Sequence, residues 1–452
     1  MYVCGPTVYD EPHIGHARSA YIFDVIRRYL IYKGYKVTFV RNVTDVDDKI
    51  IEKARNEYKG ENLNTAYKKV ADKYLASYHE ALDSLGIVTS KPDVEEPRAS
   101  EYIDKMIVFI KNLIDKTVAY QAGGDVYFDI TKAKNYGKLS HQSLDKMDAG
   151  ARVVPLENKK NPLDFALWKA AKEGEPSWDS LYGKGRPGWH IECSVMSSDI
   201  LGDEFDIHGG GIDLIFPHHE NEIAQSEGAG KNFARVWMHH GLLTIKGQKM
   251  AKSLGNFVTI KEFIAKYKDA DLLKLFFLSA HYSHPIDYNE EKMEETKKSY
   301  DRFRILFQKI DRKFGSRDTT KLPTGSMGNI EFFREVFEKA MDDDFNTPQA
   351  MSVLFNMVNE CNKILDNEQD ERRFILQYAM GTIIELGNIL GLSFAGIPEV
   401  KSDTWVTIAI SMREQLRKDK KYKEADEIRK TLEEKGIILE DTEEGTTWRR
   451  KL

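Results

Sequence analysis

The order strand, glycine-containing turn, helix, strand at the N-terminus constrains the fold more than any other feature. Tyr2-Val3-Cys4 predicts a short strand that stops at Gly5-Pro6, and ARSAYIFDVIRRYLIYKGY carries apolar residues at helical spacing up to Gly34. KVTFVRN then predicts a second strand, and DDKIIEKARN predicts a second helix. Such a βαβ unit predicts an α/β fold built on a Rossmann-like, doubly wound parallel sheet.

Several chemically useful side chains follow the predicted strands. Cys4, the PHIGH loop with His13 and His16, and the run NVTD that begins at Asn42 all lie at strand ends. Ligands of doubly wound sheets bind at the carboxyl ends of the strands. The sequence therefore predicts a binding site at this edge of the sheet.

The rest of the chain predicts further segments around and after the sheet. Residues near 65–116 predict helices, AYQAGGDVYFDI predicts a β-hairpin around Gly123-Gly124, and FDIHGGGIDLIF returns to sheet. From about 293 onward the pattern is almost wholly helical, with a break at GIPEVKSDTW near 400. The stretch 117–188 is therefore predicted to be an insertion between two halves of the sheet domain.

Composition excludes several classes of protein. A chain of 452 residues is too long for one ordinary core, and no apolar run is long enough to span a membrane. The content of 3 cysteines and an N-terminus unlike a secretory signal argue against a disulfide framework and predict a cytoplasmic protein. The net charge of -6 argues against bulk nucleic-acid binding, but LRKDKKYKEADEIRK, predicted to be helical, and the terminal WRRKL leave room for a local basic face.

The segment PHHENEIAQSE is the clearest metal candidate. His218 and Glu222 are four residues apart, so a helix would place them on one face. A histidine and a carboxylate at that spacing, with thiolates from elsewhere, suit zinc. The candidate ligands are Cys4, Cys193, His218 and Glu222. His208 and His219 compete as ligands on the same evidence, and the alternative is that both cysteines are core residues and His218 caps a helix.

The PHIGH loop is a candidate phosphate site because it lies at the start of a predicted helix. Backbone N–H groups and the helix dipole favour anions there. Gly15 would let a phosphate approach the backbone, and His13 and His16 could donate to its oxygens. The alternative is an ordinary N-cap loop.

KGQKMAKSLGN is a second phosphate candidate. Lys249 and Lys252 flank a loop in which two ammonium groups could stabilise charge on a leaving pyrophosphate. HGGGIDL offers three glycines that permit close approach of a flat ring or ribose, and Asp213 could accept a hydrogen bond from it. The alternatives are a solvated basic turn and a common glycine-rich turn.

Together these segments resemble class I aminoacyl-tRNA synthetases, and most specifically the cysteinyl-tRNA synthetase family. The HIGH signature is His13-Ile14-Gly15-His16, and the KMSKS-type loop is represented by 249–253. The finer resemblance rests on YVCGPTVYDEPHIGHAR, NVTDVDDKI, AGARV, NPLDFALWK, GRPGWHIECS, FDIHGGGIDLIFPHHENEIAQSE, MDDDFNTP and LEDTEEGTTWRR. It covers essentially the whole chain.

The resemblance implies a two-step reaction with L-cysteine, ATP with magnesium, and tRNA(Cys). The carboxylate of cysteine attacks the α-phosphate of ATP, and the acyl group then passes to the 3′-terminal adenosine of the tRNA. The implied zinc ligands, one ion per chain, are Cys4, Cys193, His218 and Glu222, with the ion bound to the substrate thiolate. Positions around cysteine are Gly5, Thr44 and Trp189; around ATP, His13, Gly15, His16, Asp213 and Lys252. The implied catalytic residues are His13, His16, Lys249 and Lys252.

The resemblance also divides the chain. The expected regions are a first catalytic half (1–116), an inserted connective subdomain (117–188), a second catalytic half (189–235), a stem-contact region with the KMAKS loop (236–292), a helical tRNA-binding bundle (293–398) and a small C-terminal anticodon-recognition domain (399–452). In the last region Trp448 could stack on a base while Arg449 and Arg450 pair with phosphates. The alternative is that Trp448 closes a small core. A monomer without membrane contact is expected.

Three features depart from the family's pattern. Family members carry a further segment ahead of MYVCG, Ala251 replaces the serine of the KMSKS-type loop, and Ser283 stands where arginine is common. Three other functions compete: a relative that passes activated cysteine to an amino-sugar, a non-catalytic tRNA-binding paralogue, and a zinc hydrolase. MDDDFNTP and GTTWRR argue against the first, the intact histidines and lysines against the second, and the lack of an obvious general base against the third.

Overall fold

The computed structural model describes residues 1–89, 93–142, 159–250, 255–314, 328–366, 373–394, 404–442 and 445–450. AGARV, Ala251 and Lys252 lie outside these ranges, as do the side chains of Lys249, Arg449 and Arg450. The chain forms two compact units. The first comprises Met1–Ala270 and Tyr282–Tyr288, and the second comprises Asp271–His281 and Asn289–Leu452.

The strands, in chain order, are β1 (Tyr2–Val3), β2 (Phe39–Arg41), β3 (Val94–Glu95), β4 (Ala119–Ala122), β5 (Asp125–Phe128), β6 (Phe165–Ala170), β7 (Gly185–Pro187), β8 (Glu204–Gly211), β9 (Phe233–His240), β10 (Leu243–Ile245), β11 (Gln248–Lys249), β12 (Ile286–Tyr288), β13 (Ile437–Thr442) and β14 (Gly445–Arg450). The α-helices are α1 (Ile14–Tyr32), α2 (Asp48–Glu57), α3 (Leu63–Ser84), α4 (Ile103–Asp115), α5 (Trp189–Leu201), α6 (Glu220–Gly228), α7 (Ile260–Tyr267), α8 (Ala270–Leu278), α9 (Glu290–Phe314), α10 (Gly328–Asp342), α11 (Thr347–Asp366), α12 (Arg373–Ile389), α13 (Thr404–Lys418) and α14 (Tyr422–Glu434).

The centre of the first unit is a parallel sheet with strand order β3-β2-β1-β8-β9. β1 lies in the middle, where Tyr2 pairs with Val40 on one side and with His208 on the other. The α/β fold with a Rossmann-like parallel sheet is therefore confirmed. The short edge strand β3 was not predicted, because it lies inside the stretch that reads as helical.

The glycines of β8 allow the sheet to pack closely, and they form strand rather than a turn. A Cβ atom at Gly209 would lie 2.3 Å from the Phe23 ring on α1. Only glycine lets this helix and strand approach to that distance without a shift. The HGGG run thus brings α1, and with it the PHIGH loop at its start, onto the sheet.

The insertion forms an antiparallel sheet with strand order β4-β5-β6-β7. The predicted hairpin is confirmed, with Gly123 and Gly124 at positive φ between β4 and β5. β7 is followed almost directly by α5, so the insertion sets the position of Trp189 at the helix start. Asp48 on α2 binds Lys169 (3.0 Å) and Arg186, which fixes the insertion to the parallel-sheet part of the same unit.

The second unit is helical up to α14 and ends in an antiparallel hairpin of β13 and β14. The almost wholly helical C-terminal part is confirmed, although the hairpin itself was not predicted. The predicted helix LRKDKKYKEADEIRK is wrong as one element, because α13 ends at Lys418 and Lys420 has φ 59° before α14 begins. Trp448 pairs with Leu439 and packs on a small core around Val406.

Among the helices of the described residues, none combines the length and apolar character needed to cross a membrane.

Candidate active site and metal centre

Four side chains from three distant segments meet at the carboxyl end of β1. Cys4 follows β1, Cys193 lies in the second turn of α5, His218 lies in a π-helical turn over Ile215–His219, and Glu222 follows on α6. One ligand atom from each lies within 4.8 Å of those of the other three. The separations are 3.7 Å between the two sulfurs, 3.7 Å from Cys4 Sγ to Glu222 Oε1, and 3.1 Å from that oxygen to His218 Nε2.

A second group shares two of these residues. Cys4, His208, His219 and Glu222 also lie within 4.8 Å of one another through one atom each. His208 Nε2 is 2.7 Å from Glu222 Oε2, and His219 Nε2 is 3.3 Å from Cys4 Sγ. The two alternatives left open by the sequence are therefore adjacent in space, and Glu222 faces each group with a different oxygen.

Outer hydrogen bonds orient the imidazoles. His218 Nδ1 is 2.9 Å from His190 Nδ1, and His219 Nδ1 is 2.8 Å from His239 Nε2. In each ring Nδ1 is engaged, so Nε2 is the atom that faces the cluster. Metal-binding histidines are usually held in this way by a partner on the other nitrogen.

The electrostatics of the cluster favour a deprotonated sulfur on α5. Burial by itself raises the pKa of Cys193, but the hydrogen bond from Cys4 and the neighbouring His218 outweigh it and lower that pKa to about 6. Burial raises the pKa of Cys4 well above its ordinary value. Burial opposes ionisation of Glu222 too, yet His208 and His218 hold the pKa of its carboxyl well below the usual range. Negative charge is thus available from a thiol and a carboxyl.

The three residues expected around an amino acid border this cluster. Gly5 N donates to Asn42 Oδ1 (2.8 Å), and a Cβ atom at Gly5 would lie 1.6 Å from Asn42 O. Thr44 Oγ1 donates to Glu192 Oε2 (2.7 Å). The Trp189 ring lies 4.1 Å from the ring of His218 and is 39% exposed, which leaves an aromatic face at the opening of the site.

The PHIGH loop forms the N-terminus of α1. His13 is the N-cap, and its Nδ1 accepts from Gly15 N (3.1 Å) and His16 N (3.3 Å), while His16 Nδ1 accepts from His13 N (3.3 Å). Because both Nδ1 atoms accept, a neutral ring carries its proton on Nε2 and presents a donor there. Burial and the adjacent His13 lower the pKa of His16 to about 3, so its ring is neutral near pH 7.

The segment after the KMAKS loop is hydrogen-bonded to the PHIGH loop and the start of α1. Ile14 N donates to Val258 O (3.1 Å), and Ile260 N donates to Pro12 O (3.0 Å). Met250, at the start of the loop, has its Cε 3.4 Å from where a Cβ at Gly15 would lie. The described residues on either side of the second phosphate candidate therefore lie next to the PHIGH loop in the first unit.

Buried polar residues that the sequence analysis did not single out support the site. His190 and His239 orient the histidines of the cluster, and Glu192 holds Thr44. Arg18 is 1% exposed and donates to three carbonyl oxygens, those of Leu242 (2.8 Å), Tyr282 (3.3 Å) and His284 (2.5 Å). In the sequence, these residues are marked by their closeness to the motifs. Closeness in sequence does not show which residues contact the site.

Three family models match successive parts of the chain. They are described as "tRNA synthetases class I (C) catalytic domain" over residues 1–298, "DALR domain" over 336–395, and "Cysteinyl-tRNA ligase anticodon binding domain" over 410–449. The first model alone matches more than half of the chain.

Curated proteins named cysteine–tRNA ligase are similar over the whole chain. The one from Persephonella marina is 46% identical and the one from a Geobacillus species is 47% identical, and in both alignments all of this chain is covered. The chain spans 95% and 94% of these two proteins. Among solved structures, Mycobacterium tuberculosis methionyl-tRNA synthetase in complex with methionyl-adenylate aligns with a TM-score of 0.65 over 90% of this chain and 93% of that one, at 13% identity. That likeness concerns the fold.

Proposed function

The chain belongs to the cysteine–tRNA ligase family of class I aminoacyl-tRNA synthetases, and from that premise we propose that it selects cysteine through a zinc ion at the buried cluster. The proposed ligands are Cys4, Cys193, His218 and Glu222. The observation that carries the proposal is the approach of these four side chains to within 4.8 Å of one another. Tetrahedral zinc takes this donor set of two thiolates, an imidazole and a carboxylate.

The two oxygens of Glu222 support the first of the two overlapping groups as the ligand set. Oε1 faces the sulfur of Cys4 and the imidazole of His218, whereas Oε2 is already bound by His208. His208 and His219 are thus placed to donate to a ligating oxygen and a ligating sulfur. Such outer hydrogen bonds are what metal ligands ordinarily receive.

A zinc ion held here would provide a soft Lewis acid to which a thiolate binds far better than a hydroxyl does. Cysteine and serine differ only in that atom, so discrimination could be complete at the binding step. The bordering residues of the chain, Gly5, Thr44 and Trp189, would then hold the rest of the amino acid. Glu192 holds the Thr44 hydroxyl in place by accepting a hydrogen bond from it.

The PHIGH loop would hold the triphosphate while the cysteine carboxylate attacks the α-phosphorus. His13 and His16 present Nε2–H donors at the N-terminus of α1, where the helix dipole also favours anions. Lys249 and Lys252 would neutralise charge on the pyrophosphate as it leaves. The step needs no proton transfer by a side chain, so positioning and electrostatic stabilisation supply the catalysis.

The experiment measures metal content together with ATP–pyrophosphate exchange on the purified full-length protein. We expect one zinc per chain and exchange that depends on L-cysteine and ignores L-serine. Equal exchange with serine, or full cysteine specificity in protein that holds no metal, would contradict the zinc proposal. Neither result would alter the family to which the chain belongs.

A further inference from the structure

His240 lies beside Asp213, the residue expected to contact the nucleotide. It ends β9, and its Cα pairs directly with Gly211 at the end of β8, on the ligand-binding edge of the parallel sheet. The side chain is 8% exposed. Its Nδ1 lies 3.0 Å from Gly241 O, and since a carbonyl oxygen only accepts, Nδ1 carries the proton.

That tautomer makes Nε2 of His240 a hydrogen-bond acceptor. Within the described part of the chain, the His240 ring makes a single hydrogen bond, from Nδ1 to Gly241 O. The lone pair on Nε2 therefore has no protein donor in the described residues. An acceptor without a protein partner at a ligand-binding edge can take a donor from a ligand or from water.

Gly211 brings this nitrogen close to the carboxylate of Asp213. A Cβ atom at Gly211 would lie 2.5 Å from Asp213 Oδ1 and 3.5 Å from His240 Nε2. A side chain at position 211 would therefore collide with the carboxylate, and glycine lets the two acceptors lie near each other. Two neighbouring acceptors suit a group that offers two donors.

The surroundings keep the His240 ring neutral. Burial and the nearby positive charge of Arg18 lower the pKa of His240 to about 4, although the Gly241 carbonyl and Asp213 act in the opposite direction. Arg18 itself is fixed by donation to Leu242 O (2.8 Å), two residues along the chain from His240. The Phe23 ring lies edge-on, 6.2 Å from the imidazole, and adds no polar group.

We propose that Nε2 of His240 accepts a hydrogen bond from one ribose hydroxyl of ATP while Asp213 accepts from the neighbouring hydroxyl. This rests on the proposed function in that ATP is taken to bind along this edge. The vicinal hydroxyls of ribose are two donors on adjacent carbons, which matches two acceptors that both lie close to Gly211. His240 is thus a further nucleotide-binding residue of this chain.

The test crosses variants of His240 with nucleotides that lack single donors. His240→Phe keeps an aromatic ring but removes the acceptor, and His240→Asn retains an acceptor. ATP, 2′-deoxy-ATP, 3′-deoxy-ATP and inosine triphosphate are compared in cysteine-dependent pyrophosphate exchange. His141→Phe makes the same change at an exposed histidine and serves as the matched control.

We expect His240→Phe to raise the KM for ATP about tenfold, with the KM for cysteine and the metal content unchanged, and His240→Asn to recover part of the loss. With one of the two deoxy nucleotides, His240→Phe should not raise the KM for the nucleotide further, because the hydroxyl that His240 would bind is already absent. A merely structural role would penalise all nucleotides equally, and that outcome would overturn the proposal. Loss of the penalty with inosine triphosphate instead would assign the donor to the exocyclic amine and would equally overturn it.

The wild-type protein separates this inference from the function on which it rests. If wild type catalyses cysteine-dependent exchange with ATP, the proposed function holds and the nucleotide comparison decides the role of His240. If His240→Phe does not fold, as judged by its thermal midpoint, His240→Asn and His240→Gln are compared with the same four nucleotides. Uniform penalties in those variants would also overturn the contact.

Discussion

The sulfur atoms of Cys4 and Cys193 lie 3.7 Å apart although 189 residues separate them in the chain. Cys4 follows the central strand β1, and Cys193 lies on α5, the helix that leads into the neighbouring strand β8. The parallel order of the sheet therefore brings both thiols to one place, whatever the length of the insertion between them.

Replacing Cys193 with serine should abolish stoichiometric zinc binding and reduce cysteine-dependent exchange by at least a hundredfold. A hydroxyl is a poor zinc ligand at neutral pH, and the remaining three ligands would hold the ion weakly. Zinc content after dialysis and the exchange rate are the measurements. Cys361→Ser is the control, because Cys361 is buried on α11 in the second unit. Normal zinc content in Cys193→Ser would remove this residue from the ligand set.

The two overlapping ligand groups can be separated by one pair of variants. His218→Gln should lose zinc, whereas His208→Gln should keep it with affinity lower by about 10- to 100-fold, since His208 would only support Glu222. Competition with a chelator of known affinity measures both. The reverse ranking would show that the ion uses His208 and His219, the group that faces the other oxygen of Glu222.

Gly5→Ala should weaken cysteine binding because of a backbone clash. The added methyl would lie 1.6 Å from Asn42 O, and the two nearest atoms are backbone, so the segments after β1 and β2 would have to separate. We expect a lower thermal midpoint and a raised KM for cysteine. Gly381→Ala is the matched control: nothing lies within 4 Å of its added Cβ, and in α12 alanine should stabilise by about 0.5 to 1 kcal/mol.

Short-range order was predictable from the sequence, and the partners of buried polar groups were not. The alternation at Ala119–Phe128 and the apolar spacing of α1 depend on neighbouring residues, so the hairpin and the first βαβ unit follow from the sequence. The choice between His218 and His219 depends on a π-helical turn with extended backbone at Phe216, which no periodicity indicates. The sequence shows that both histidines lie near the cluster, but it does not show which way each imidazole faces.

Distant contacts explain the other misses. Gly209 is needed because Phe23 approaches β8 from α1, and Arg18 is buried because three carbonyls converge on it from segments more than 200 residues away. Neither contact leaves a local pattern. The C-terminal hairpin was missed for a related reason: Trp448 on β14 takes its position from a core built largely by α13 and α14.

Stability of the first unit should fall on acidification, and His16 should account for part of the fall. Its folded pKa of about 3 lies below the unfolded value of 6.5, so the unfolded chain takes up the proton first and gains stability as pH falls below 6.5. Between pH 8 and pH 5 this lowers the free energy of unfolding by up to about 2 kcal/mol. Thermal midpoints of wild type and His16→Asn across that range measure it, and the variant should show the shallower slope. Parallel slopes would mean that folding does not lower the pKa of His16.

Removing residues 399–452 should separate the two steps of the reaction. The described residues of the core around Val406, Ile410 and Leu439 lie within this segment, whereas every residue proposed for adenylate formation lies before residue 260. We therefore expect pyrophosphate exchange within about threefold of wild type and tRNA charging reduced by at least a hundredfold, because anticodon contacts position the substrate. Charging and exchange are measured on the same preparation.

Trp448→Ala tests the role of one side chain in that segment. Because the Trp448 ring packs on the small core, the substitution should lower both the thermal midpoint of the segment and the rate of tRNA charging. A loss of charging with unchanged stability would assign Trp448 to contact with the tRNA instead.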